Sequence, residues 1–141
     1  MSDESEGPTV RRRLPRLPFS HWSLRTDVDG DGRTILEVYT RREALAAVST
    51  FSPHGALLLG ARRGIHEGRA WALAWGQLPH SPDEVTVTFT SGLLSWWRAT
   101  ATTQTIAENF WVAELSGTFR AVAVSAGPVQ ARGLLHRTDH A

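Results

Sequence analysis

The amino-acid sequence predicts an all-β, mainly antiparallel fold, a β-sandwich or small barrel of about seven to nine strands. Short runs rich in Thr, Val and Trp follow one another along the chain, separated by turn residues. The run 84–90 alternates strictly, with Val85, Val87 and Phe89 on one face and threonines on the other. A chain of 141 residues, 41% of them hydrophobic, is long enough to build one core in a single domain.

The predicted elements follow in chain order. Residues 41–49 (RREALAAVS) contain good helix formers and follow Thr40, a possible N-cap, so they predict one short helix. Two hairpins are predicted around the turn sequences DVDGDGR and RGIHEG. The predicted strands are 21–26, 34–40, 56–62, 69–76, 84–90, 93–103, 110–115, 119–125 and 131–136.

The stretch 110–135 has a strand-and-turn pattern that can be compared with known folds. Its sequence, FWVAELSGTFRAVAVSAGPVQARGLL, runs strand, Ser-Gly turn, strand, Gly-Pro turn, strand. This succession resembles that of immunoglobulin-like sandwiches. The resemblance implies an architecture and no particular function.

Three regions are predicted from the pattern: an arm at 1–18, a single β-sandwich domain at 19–137 and a tail at 138–141. The arm begins with acidic residues and continues with Arg11, Arg12, Arg13 and Arg16 among leucines and prolines. Proline at this density excludes a regular helix. The arm is therefore either a solvated terminus or a docking arm, with arginines that pair with anions and leucines that anchor in a groove.

Composition excludes several kinds of chemistry. The chain has no Cys, and all 15 of its basic residues are Arg. Thiolate nucleophiles, Cys-ligated metals and the lysine-dependent phosphoryl-transfer and Schiff-base mechanisms are therefore absent. A net charge of +1 argues against nucleic acid as the partner. The acidic start and the lack of a long apolar run predict no membrane association and a cytoplasmic location.

Six tryptophans suggest a binding surface. Adjacent residues of a strand point to opposite faces, so the pairs at 96–97 and 110–111 cannot both be buried if one face meets solvent. Trp71, Trp75, Trp97 and Trp111 are predicted to point inward. The predicted outer face then carries Trp96, Arg98 and Phe110, a combination typical of protein interfaces and of stacking platforms. The alternative is that the arm or the predicted short helix covers this outer face.

Asp27, Asp29 and Asp31 stand at alternate positions before Gly32, as carboxylates do in calcium loops. The twelfth position of such a loop, however, is Val38 rather than Glu, and the flanks are predicted strands. The favoured interpretation is a hairpin turn in which the aspartates cap local amides. Weak calcium binding is the alternative.

The sequence supports three functions. The first is a non-enzymatic interaction or assembly module, whose partner is another protein or a copy of itself. It would bind through Trp96, Arg98 and Phe110 and through the arm arginines, without a cofactor. The second is a module that binds glycans or small ligands, with or without calcium at the aspartate loop. The third is a small enzyme built on His and carboxylates such as His66 and Glu67, which are neighbours at a predicted turn.

Overall fold

A computed structural model describes residues 12–79, 84–92 and 97–138 of the chain. Strands in this part form three sheets. In spatial order, sheet A contains β1 (Arg12–Arg13), β2 (Ser23–Val28), β3 (Thr34–Tyr39) and β4 (Leu45–Thr50). Sheet B contains β13 (His136–Arg137), β5 (Gly60–His66), β6 (Arg69–Gln77), β10 (Phe110–Ser116) and β9 (Thr103–Ile106). Sheet C contains β12 (Val129–Leu134), β11 (Ala121–Ala126), β7 (Thr86–Thr90) and β8 (Arg98–Ala101).

The all-β, mainly antiparallel prediction is confirmed. Of the strand pairs in the described ranges, only β13 with β5 runs parallel. The arrangement is consistent with a β-sandwich. Both predicted hairpins form, one between β2 and β3 and the other between β5 and β6. In the second, Glu67 and Gly68 both have positive φ, as a type I′ turn requires.

Sheet B is the middle of three layers, because two hydrophobic cores lie on its opposite faces. One core joins sheet A to sheet B, and the other joins sheet B to sheet C. The first consists of Leu17, Trp22, Leu24, Leu36, Val38, Trp71, Leu73, Trp75, Ile106, Phe110 and Val112. The second includes Ala61, Ala72, Ala74, Val87, Phe89, Ala101, Trp111, Ala113, Val122, Val124 and Leu135.

Small residues on β5 make room for the large rings of β6. A Cβ atom added at Gly60 would lie 2.2 Å from the ring of Trp75, and one at Gly64 would lie 2.6 Å from Trp71. The indole rings of Trp75 and Trp71 therefore lie directly over the backbone of Gly60 and Gly64, where no side chain stands in the way. The prediction that Trp71 and Trp75 belong to the core is confirmed, since both are almost completely buried.

Sheets B and C are joined at both edges by strands that change sheet. Only Thr102 separates β8 from β9, and only Leu135 separates β12 from β13. Ala101 and Leu135 are buried at these corners. Such corners belong to sandwiches in which strands pass from one sheet to the other.

The predicted helix at 41–49 is wrong. Thr40 does accept hydrogen bonds on its side-chain oxygen, from the amides of Arg42 (3.3 Å) and Ala44 (3.2 Å). These bonds close a turn, with Glu43 at positive φ, and the chain returns along β3 as β4. Pairing with β3 thus overrides local helix propensity. Within the described ranges, no helix is long and apolar enough to cross a membrane.

Candidate functional site

Trp97 is an exposed aromatic residue that lies in the chain between Trp96 and Arg98, two residues of the predicted binding surface. Its side chain is 67% exposed, so the prediction that it points inward is wrong. The residue stands just before β8, where its carbonyl accepts a hydrogen bond from the Ser91 amide at 2.9 Å. Arg98 follows it, is exposed, and pairs with Thr90. Trp96 lies outside the described residues, and its role stays a prediction.

Phe110 is not part of an exposed surface. It is fully buried, with its ring edge-on to Phe51 at a centroid distance of 6.2 Å. The prediction of an outward Phe110 assumed that one face of its strand meets solvent. Because β10 lies in the middle layer, Phe110 packs toward sheet A and Trp111 toward sheet C. The prediction for Trp111 is confirmed, and its indole nitrogen donates to the Leu57 carbonyl at 2.8 Å.

The face of sheet C that points away from sheet B carries mostly small side chains. We call it the outer face of sheet C. No carboxylate occurs among its described strand residues, and Arg98 and Arg132 make no ion pair with a described residue. Strand registers place on this face Arg98, Thr100, Thr86, Thr88, Thr90, Ala121, Ala123, Ser125, Gln130, Arg132 and Leu134.

One row of residues across this face ends in an exposed leucine. Arg98, Thr90, Ala121 and Leu134 form a row across the four strands, and Leu134 is 67% exposed. Trp97 directly precedes Arg98, the residue at the opposite end of the row, just before β8 begins. The row thus has an exposed Leu at one end and the exposed Arg98 at the other, and the exposed Trp97 comes just before Arg98 in the chain. Exposed apolar residues around small ones form the kind of patch that marks an interaction site.

The arm from residue 12 onward packs on its own domain. Arg12 and Arg13 form β1 against β2, and Leu17 is buried in the core between sheets A and B. Arg16 donates to the carbonyl of Arg41 at 2.8 Å and forms an ion pair with Glu43. Residue Arg11 and the side chains of Arg12 and Arg13 lie outside the described part.

The aspartate loop is organised as a hairpin turn. The Asp29 carboxylate accepts hydrogen bonds from the amides of Asp31 and Arg33, both at 2.9 Å. Asp27 accepts a bond from the amide of Val28, and Gly32 has a φ of +81°. These contacts agree with the turn interpretation. Among the described residues, no group of three His, Cys, Asp or Glu side chains is placed to hold a metal ion.

A polar cluster of Arg25, Glu37 and Tyr39 lies on the outer side of sheet A. Arg25 donates to Glu37 at 3.1 Å, and its guanidinium lies 4.4 Å from the centroid of the Tyr39 ring. Tyr39 also donates to Glu37 at 3.0 Å. The hydrogen bond between Arg25 and Tyr39 raises the pKa of Arg25, and Glu37 adds to the effect while desolvation opposes it. The cluster is internally paired and fastens β2 to β3.

The structure brings two imidazoles together in a way that sequence reasoning missed. The rings of His21 and His66 have centroids 4.5 Å apart, and they line a shallow cleft with Glu67 and Arg69. His66 Nε2 lies 3.9 Å from the Glu67 carboxylate, which is beyond hydrogen-bond distance. His21 lies in the connection between β1 and β2 and has a φ of +62°. Its approach depends on tertiary packing, so no local motif signals it.

Comparison with protein-family models, with curated proteins and with solved structures finds no match to this chain.

Proposed function

We propose that this chain is a non-enzymatic assembly module that binds a second copy of itself through the outer face of sheet C. The observation that carries the proposal is the exposed Trp97, which directly precedes the exposed Arg98 at the start of β8. Trp and Arg are the residue types that most often dominate the binding energy of an interface. Arg98 was already part of the predicted surface, Trp97 takes the place of the buried Phe110, and the predicted role of Trp96 remains untested.

The area of Trp97 indicates how much binding energy is available. A tryptophan buries roughly 150–250 Å² when fully packed. An exposed fraction of two-thirds therefore leaves roughly 100–170 Å² in water, whose burial stabilises a complex by about 2.5–4 kcal/mol. Arg98 adds a guanidinium that can bind a carboxylate with two parallel hydrogen bonds.

Charge complementarity favours a second copy as the occupant. The outer face of sheet C offers Arg98 and Arg132 and, in its described strands, no acidic side chain. The first residues of the chain supply the opposite charge, with Asp3, Glu4 and Glu6. These residues precede β1 in sheet A, the layer on the other side of sheet B from sheet C. Contact between the acidic start of one copy and the basic face of the next would link copies head to tail.

Sedimentation velocity over a concentration series tests the proposal. We expect concentration-dependent association of the wild type that weakens as salt rises. Trp97→Ala should weaken association about 30-fold, corresponding to about 2 kcal/mol, with its melting temperature within about 2 °C of the wild type. Val48→Ala is the matched control, because Val48 is also exposed but lies on sheet A. A wild type that stays monomeric throughout, or equal effects of the two variants, would contradict the proposal.

The acidic start is tested separately. The triple variant Asp3→Asn, Glu4→Gln and Glu6→Gln removes the charge and keeps the size of the side chains. We expect it to weaken association and to reduce the salt dependence. Association that is unchanged by this variant would exclude the acidic residues as the contact.

A further inference from the structure

Two imidazole rings come close together where the end of β5 meets the connection between β1 and β2. The ring centroids of His21 and His66 are 4.5 Å apart, and the two ring planes are inclined by 54°. Both rings line a cleft of about 450 Å³ together with Phe19, Glu67 and Arg69. We call it the His21–His66 cleft.

The ring nitrogens of both histidines are available to a ligand. Within the described residues neither ring makes a hydrogen bond, and the nearest polar approach is that of His66 Nε2 to the Glu67 carboxylate at 3.9 Å. The side chain of His66 is only 17% exposed, so little of it is in contact with water. A neutral imidazole keeps a lone pair on one nitrogen, and here no described side chain occupies it.

The backbone of His21 is fixed in an unusual conformation. Its φ of +62° lies in the left-handed region, which is unfavourable for residues other than glycine. Its amide donates to the Leu17 carbonyl at 3.0 Å, and its carbonyl accepts a hydrogen bond from the Arg16 guanidinium at 2.9 Å. The Glu114 carboxylate accepts a bond from the preceding amide, that of Ser20, at 2.7 Å. These bonds hold the His21 ring beside its partner imidazole before any ligand arrives.

The separation of the rings fits two ligands of one metal ion. Bonds between a metal ion and an imidazole nitrogen are about 2.0–2.1 Å long. Two imidazoles that bind one ion at a right angle therefore have centroids roughly 4.5 Å apart, and at the tetrahedral angle the distance is roughly 5.1 Å. The observed 4.5 Å matches the right angle of a tetragonal site, the geometry that Cu²⁺ prefers.

We propose that the His21–His66 cleft binds a Cu²⁺ ion through one nitrogen of each imidazole, with water in the remaining positions. Among divalent first-row metals, Cu²⁺ forms the most stable complexes with such ligands. The exposed Glu67 carboxylate adds a negative charge beside the ion and offsets the positive charge of Arg69. This site is separate from the outer face of sheet C, and its occupancy does not depend on self-association.

Isothermal titration calorimetry of the untagged full chain with Cu²⁺, Zn²⁺ and Mg²⁺ tests the inference. We expect saturable 1:1 binding of Cu²⁺, at least about 10-fold tighter than that of Zn²⁺, and no saturable heat with Mg²⁺, which prefers oxygen ligands. Electron paramagnetic resonance of the Cu²⁺ complex should show coupling to two nitrogen nuclei. The absence of saturable Cu²⁺ binding, coupling to fewer than two nitrogens, or Zn²⁺ binding as tight as Cu²⁺ binding would overturn the inference.

Variants locate the site. His21→Asn keeps a residue that tolerates the left-handed conformation, and His66→Gln gives an independent test should the first variant fold poorly by circular dichroism. Each should weaken Cu²⁺ binding at least about 10-fold and leave coupling to a single nitrogen of the cleft. His54→Gln is the matched control, because His54 is exposed and does not line the cleft. Equal weakening by His54→Gln and the cleft variants, or no weakening by folded cleft variants, would exclude this cleft.

Discussion

Substituting Gly76 by alanine tests how closely strand β6 of sheet B packs against Leu57, which lies just before β5. Gly76 lies on β6 opposite Trp111. A Cβ atom there would lie 1.8 Å from the carbonyl oxygen of Leu57 and 2.6 Å from the indole nitrogen of Trp111. The same two atoms form the buried hydrogen bond of 2.8 Å. The new methyl group therefore collides with a hydrogen bond at both of its ends.

The size of the effect follows from these contacts. The Leu57 carbonyl belongs to the backbone and must move by roughly 1.5 Å to regain an ordinary van der Waals separation. Overpacking of this kind costs about 1–3 kcal/mol, and loss of the buried indole bond costs about 1–3 kcal/mol more. A domain of this size loses about 3 °C of melting temperature per kcal/mol. We therefore expect Gly76→Ala to lower the melting temperature by roughly 6–18 °C.

Differential scanning calorimetry measures this change, and Gly30→Ala is the control. An alanine Cβ at Gly30 would meet no atom within 4 Å, so its effect should stay within about 0.5 kcal/mol. If Gly76→Ala is as stable as Gly30→Ala, Trp111 does not pack against the Leu57 carbonyl beside Gly76.

Three further predictions concern the core, the arm and the aspartate turn. Phe110→Ala should destabilise the protein by about 3–5 kcal/mol in chemical denaturation, since Phe110 is fully buried, and a loss below about 1 kcal/mol would indicate exposure. Leu17→Ala should cost about 2–5 kcal/mol, whereas an arm that is only loosely attached would lose almost nothing. Asp29→Ala should cost on the order of 1 kcal/mol by removing the acceptor for two amides. Millimolar calcium should leave the wild-type melting temperature unchanged, and a saturable rise would support the calcium interpretation instead.

The strands and hairpins were predictable because their signals are local. Alternating Val and Thr at 84–90 marks β7, and the Asp-Gly and Glu-Gly sequences mark the turns of two hairpins. Residues 41–49 carry a misleading local signal, since good helix formers occupy a strand that pairs with β3. Helix propensity is weak compared with the hydrogen bonds of a sheet edge.

The number of layers was not predictable from strand periodicity. The sequence prediction assumed that each strand has one face in contact with solvent. It therefore placed Phe110 outside and Trp97 inside, whereas Phe110 is buried and Trp97 is exposed. In fact β6 and β10 are covered on both faces, and a near-continuous apolar run such as the stretch from Trp71 to Trp75 is typical of such strands. The approach of the His21 and His66 rings likewise depends on contact between residues far apart in sequence.

Threonine methyl chemical shifts on dilution test most directly whether the outer face of sheet C joins copies of the chain. Thr88, Thr90 and Thr100 report on that face, and Thr34 and Thr50 report on sheet A as internal references. We predict that the methyl signals of the first three residues move with protein concentration, that Trp97→Ala abolishes the movement, and that the references stay fixed. Signals of Thr88, Thr90 and Thr100 that do not change over the whole concentration range would contradict the account, as would shifts confined to sheet A.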